Sequence, residues 1–189
     1  MIRKIDEYNK HIAITCISVP VIVNVDHFIS DIKAVVGDNP FQVFNADRIA
    51  GWKHLFFATV NALNAFKHDR NKTKTLQMEI LLYASGERQI HKAIELLGIQ
   101  EKAGKIALIM LSENREKLEK ATDALMKMVG GELSNDSLEI LTEKKFQEIR
   151  LAYNISDAEL KALKAINSDE REALTKLVIE KGALLLIRD

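Results

Sequence analysis

Cysteine is nearly missing. Cys16 stands alone in 189 residues, which excludes a disulfide framework and a cysteine-rich zinc site. Two prolines and eight glycines exclude collagen-like and low-complexity architectures. An excess of either charge is missing too: 27 Lys and Arg balance 27 Asp and Glu, so the whole molecule carries no field that would draw nucleic acid. No apolar run approaches the length of a membrane span. The opening MIRKIDEY scatters charges where a signal peptide needs an apolar segment. There is no glycine-rich phosphate loop, dinucleotide fingerprint, Gly-x-Ser-x-Gly elbow or His-Glu-x-x-His zinc motif. The expectation is a reducing, cytoplasmic compartment and a protein with no cofactor, metal or membrane partner.

What is present is an ordinary globular composition, 47% apolar and 29% charged. Residues 1–189 read as a single domain, long enough for a substantial core. The informative stretch is Asn45 to Gly98. Ile49, Trp52, Phe56, Leu63 and Phe66 recur at helical spacing, so residues 47–67 read as one amphipathic helix started by Asn45 or Asp47. A basic loop follows, His68 to Lys74. Leu76–Ala84 reads as a buried helix, with Leu82 in the core. Glu87–Leu97 reads as a third helix ended by Gly98 and Ile99 in a left-handed cap.

The flanks complete a mixed fold. Ile2 to Tyr8 and His11 to Val19 predict two strands turning at Asn9-Lys10, and Pro20 ends the second or marks an edge. Asp26 is expected to cap a helix over 27–36, with Phe28, Ile32 and Val35 or Val36 inward. Phe41–Phe44 and Lys105–Leu111 read as strands, the latter buried. Ser112 is expected to cap a helix to residue 129, Ser137–Leu141 to form a strand, and 143–152 a helix. Ser156 and Glu159 stand at capping-box spacing, and Ser168 opens a last helix whose apolar side runs to Leu184, Leu185 and Ile187. The fold class is α/β in the α+β sense: a small, mostly antiparallel sheet surrounded by about seven to nine helices.

Arg88 is the unusual residue. A cation in a helix's first turn faces the positive end of the macrodipole. An anion such as phosphate beside free N–H groups would suit it, and so would a fold-back onto Glu87, Glu79 or a carbonyl. Cys16 with His54 or His91 would make a Cys–His nucleophile, against the commoner reading of a core cysteine and two surface or interface histidines. A His54–His68 metal site has no supporting spacing.

The stretch Asn45–Gly98 resembles the small subunit of the KEOPS complex, the PRPK-binding protein family. The residues that carry the resemblance are Asn45-Ala46, Ala50-Gly51, His54-Leu55, Ala65-Phe66, Asn71, Glu79, Leu81-Leu82-Tyr83, Ser85-Gly86, Arg88-Gln89-Ile90, Ala93-Ile94 and Gly98. LLYASGERQI and AGWKHLFFATVNALNAF are the most specific pieces. Asp69 departs from the pattern, which has glycine there.

The resemblance implies a non-catalytic α/β protein. Its partner would be a small atypical kinase/ATPase, in a complex that transfers a threonylcarbamoyl group to tRNA adenosine next to the anticodon. The resemblance also implies that archaeal-type members hold tRNA by its 3′ CCA end. Single-stranded ends are held by stacking and by cationic contacts. Arg88, Gln89, Lys92, Arg70, Lys72 and His54 are the candidates for that contact. The implied kinase interface is helical and apolar, and the pattern of the last helices nominates Leu174, Leu177, Leu184, Leu163 and Ile166. Three readings stay open: this subunit, a kinase-binding module without tRNA contact, and a small hydrolase or transferase using Cys16.

Overall fold

The computed structural model describes residues 1–101, 103–164 and 169–186, the side chain of Leu186 excepted. Its centre is two antiparallel strands, β2 (Lys10–Ser18) and β4 (Lys105–Ser112), paired from His11↔Ser112 to Ser18↔Lys105. Every residue from Ile106 to Leu111 is buried, because both faces of the strand are covered. That is why the sequence is a continuous apolar run rather than an alternating one.

Side chains alternate across the pleat, and the alternation divides the core in two. Ile12, Ile14, Cys16, Ala107, Ile109 and Leu111 enter one cluster. Ala13, Ile17, Ile106, Leu108 and Met110 enter the other. The sheet order is β1 (Ile2–Ile5), β2, β4, β3 (Phe41–Asn45), all antiparallel. A short β5 (Glu132–Leu133) also pairs with β2. Asn9 makes the β1–β2 connection at φ 46°, a left-handed conformation that asparagine tolerates well.

Two helices cover the second cluster. They are α1 (Val25–Val36), through Ile32 and Val36, and α5 (Arg115–Val129), through Leu118, Leu125 and Val129. The other face carries α2 (Trp52–Lys67), α3 (Leu76–Ser85), α4 (Ile90–Leu97), α6 (Asn135–Glu139), α7 (Glu143–Ala152), α8 (Asp157–Lys164) and α9 (Glu170–Ala183). The α+β class with an antiparallel sheet is therefore as expected.

Several local expectations are corrected. Residues 47–67 are not one helix. Ala46–Arg48 form a 3-10 turn, the chain runs extended at Ile49, and Gly51 takes φ 92° before α2 begins. The buried side of α2 is Leu55, Ala58, Thr59, Ala62, Leu63 and Ala65, while Trp52, Phe56 and Phe66 are half-buried at its margin. Small residues line this face because α2 packs against both α3 and α9. Gly98 is extended, at φ −63° and ψ 150°, so no left-handed cap forms there.

Residues 137–141 hold the end of α6 rather than a strand. Asn24 and Asn114, not Asp26 and Ser112, accept the first-turn N–H groups of α1 and α5. The expected capping box is present: Ser156 Oγ accepts from the Glu159 amide, and the Ser156 amide donates to the Glu159 carboxylate. The Ser156 hydroxyl and then the Ser156 amide, both donating to the carboxylate, pull the Glu159 carboxyl down to about 2. Ser168 and Ile187 lie outside the described residues, and Asp169 caps α9.

Candidate nucleic-acid and partner surfaces

The basic loop is anchored by a buried carboxylate. Glu79 on α3 is fully buried. It accepts from the Lys72 amide at 3.0 Å, the Thr73 amide at 2.8 Å and Thr73 Oγ1 at 2.8 Å. Buried charge is tolerated only with such partners. Asn71 closes the turn by donating to the Thr73 carbonyl at 2.9 Å. Asp69 sits at φ 53°. This left-handed geometry suits glycine best, and aspartate accepts it at small cost. Arg70 and Lys72 are exposed on a loop of fixed shape.

Arg88 and Gln89 lie at the other end of α3. Gly86 ends that helix at φ 69°, with its amide on the Leu82 carbonyl at 2.9 Å. The next helix starts at Ile90, not Glu87, so Arg88 precedes it and Gln89 is its N-cap. No side chain caps α4, and Arg88, Gln89, Ile90, His91 and Lys92 are all exposed. Ile90 and Ile94, one turn apart, are 41% and 50% exposed. The sequence placed these two isoleucines in the resemblance but not among the candidate contacts. Their signal was an apolar pair one turn apart, flanking the buried stripe of Ala93 and Leu97 on α4.

The ten residues of α3 separate the two cationic groups by about 15 Å along its axis. The fold thus brings Arg88, Gln89 and Lys92 together, and Arg70 and Lys72 together, but does not merge them. Lys92 also borders an open groove of about 820 Å³ lined by Asp47, Glu87, Glu95 and Glu148. Arg48 lines it as well, but its guanidinium is bound to the Glu95 and Leu96 carbonyls at 3.1 and 2.7 Å, closing the C-terminus of α4.

His54 is not a surface contact. It is 2% exposed. Its Nδ1 accepts from the Ala50 amide at 3.3 Å, so the proton is on Nε2, which donates to the Ala84 carbonyl at 2.7 Å. Burial lowers its pKa to about 4 and keeps it neutral. Cys16 is fully buried on β2, and burial pushes its thiol up. With both of His54's ring nitrogens committed, a Cys16–His54 nucleophile is not built. Among the described residues no three His, Cys, Asp or Glu side chains cluster to hold a metal. No helix there is long and apolar enough to cross a membrane.

The last helix turns the residues chosen for docking inward. Leu174 is 0% and Leu177 6% exposed, both within the core facing the sheet. They are not surface anchors, because α9 packs against α2 and α3. The fit is close: a side chain at Gly182 would collide with the Tyr83 carbonyl. Leu163 and Leu184 are half-buried, and Ile166 lies outside the described residues. The outer side of the same helices holds an apolar groove of about 500 Å³ that sequence periodicity did not reveal, between Phe57 on α2 and Ile179 on α9.

Residues 21–185 match the family described as "Kinase binding protein CGI-121". A regulatory protein Cgi121 of Methanocaldococcus jannaschii is 37% identical over 105 residues, covering 56% of this chain and 64% of that protein. A KEOPS complex subunit Cgi121 of Pyrococcus abyssi is 41% identical over 49 residues, covering 26% of this chain and 29% of that protein. The matched regions span less than two thirds of either relative. A family match running from just after β2 to just past α9 carries the assignment: the chain belongs to the CGI-121 family of kinase-binding proteins.

Proposed function

We propose that this protein is a non-catalytic subunit of a KEOPS-type complex that binds and supports its small kinase/ATPase and recruits tRNA by the 3′ CCA end. The observation that carries the reading is the family match over residues 21–185. The burial of Cys16 and the committed ring nitrogens of His54 agree with a binding role rather than a catalytic one.

The end of α3 and start of α4 supports tRNA recruitment best. Arg88 supplies a cation for phosphate, Gln89 hydrogen-bonding capacity, and Ile90 and Ile94 apolar surface for unstacked bases. Arg70 and Lys72, on the loop that precedes α3, suit a second backbone contact. A gel shift with intact tRNA and with tRNA lacking CCA tests this. Intact tRNA is expected to bind more tightly, and equal binding would refute end recognition. A second reading is kinase binding without tRNA contact. The acidic residues around Lys92 favour it, and it predicts no shift with either tRNA while the kinase is still retained.

A further inference from the structure

We infer that the groove between α2 and α9 is where the kinase partner docks, taking one apolar anchor side chain onto Phe57 and Ile179. This rests on the kinase-binding reading above and names its surface. Phe57 is 43% exposed although it touches Phe56 edge-on, at 5.6 Å between ring centroids. Ile179 is half-buried opposite it. Ala50 and Gly51 keep the floor low, and Gly51 has no side chain to fill it. At about 500 Å³ the groove admits an aliphatic or aromatic side chain or two.

The rim defines the chemistry of the occupant. Glu139 is committed to the Trp52 amide at 2.7 Å, and Lys176 pairs with Glu172 at 3.0 Å. Among the described residues Lys53 on α2 and Glu180 on α9 form no ion pair and remain one of each sign. A partner segment with an acidic group beside its apolar anchor on the Lys53 side and a basic group on the Glu180 side is complementary. Apolar anchor and charged rim together are the anatomy of a specific interface. The other exposed apolar residues suit this less well. Ile90 and Ile94 lie beside the cations, Leu151 borders the polar groove beside Lys92, and Val21 and Val23 line a smaller apolar groove of about 330 Å³ with Phe28.

The test is calorimetric titration of the full chain with its cognate KEOPS kinase. Phe57→Asp and Ile179→Asp should each weaken binding at least ten-fold at unchanged melting temperature, whereas Ile94→Asp should not. Lys53→Glu should slow association and flatten its salt dependence. If an aspartate variant unfolds, Phe57→Ala decides, with a several-fold loss expected. Wild-type binding that neither groove variant alters would overturn the groove and leave the kinase reading standing. No wild-type binding would overturn both. Sedimentation showing self-association that Phe57→Asp abolishes would assign the groove to a second copy and overturn the inference.

Discussion

His54 and Tyr153 donate to one carbonyl oxygen, that of Ala84, at 2.7 and 3.0 Å, with their rings 5.7 Å apart and nearly perpendicular. Ala84 lies in the last turn of α3, where carbonyls have no helical partner. Two side chains from distant elements meet that need and tie α2 and the end of α7 to α3. The arrangement requires a neutral imidazole. The folded pKa of His54, about 4, lies below the ordinary 6.5, so in between the unfolded chain takes up a proton that the folded chain refuses. Stability is therefore full above about pH 6.5 and falls as pH drops toward 4, by about 3 kcal/mol in total. Urea unfolding at pH 7 and pH 4.5 measures this, and His54→Gln should reduce the difference. An equal pH response in the variant would refute the assignment.

Leu82 on α3 and Leu174 on α9 belong to one core cluster at 1% and 0% exposure. Each change to alanine should cost about 2–5 kcal/mol. A loss under about 0.5 kcal/mol at Leu174 would mean that α9 is not packed as described.

Gly182→Ala should destabilise by about 1–3 kcal/mol or more, since the added methyl meets backbone at Tyr83 rather than a movable side chain. Ala183→Gly, one position on and exposed, should cost less than 1 kcal/mol, roughly the helix-propensity difference. Thermal unfolding of the pair separates close packing from propensity.

Glu79→Gln keeps the shape but replaces a charged acceptor by a neutral one, and its NH2 group takes the place of Oε1, which accepts from the Lys72 amide at 3.2 Å. A loss of about 1–3 kcal/mol is expected. Hydrogen exchange at the Lys72 and Thr73 amides should rise more than elsewhere. Unchanged protection there would mean that the loop is held by other groups.

Arg88→Glu should weaken tRNA binding more than Lys92→Glu does, because Lys92 already stands among carboxylates. Neither should shift the melting temperature by more than a degree or two, as both side chains are exposed. Equal effects would mean that the acidic groove is no barrier to the ligand.

How legible this was in sequence depended on length and on what covers each element. The apolar runs of β2 and β4, the buried α3 and the Ser156–Glu159 cap could be read directly, because periodicity and capping are local. The register of α2 could not. Its inner face is made of alanines and a threonine pressed by two neighbours, so the large aromatics that dominate the pattern lie at the margin. A trace was available, since His54, Ala58 and Ala62 follow at four-residue steps and place the histidine inside. Leu174 and Leu177 read equally well as core or interface. Only the approach of Gly182 to α3, a tertiary fact, decides for core.

The covering of the sheet on both sides has a consequence for how the chain finds its pairing. In a half-solvated sheet, sliding a strand by one residue drives oily side chains into water, and polarity alone forbids it. Here a slipped β4 would still be dry on both sides, exchanging Ile106, Leu108 and Met110 for Ala107, Ile109 and Leu111. The penalty would be one of volume: two compartments of different shape would receive each other's contents. Correct pairing is thus encoded in side-chain size, as where Ala13 lies opposite Met110 and Cys16 opposite Ala107. Substitutions that even out those sizes would loosen the choice of alignment while leaving hydropathy untouched.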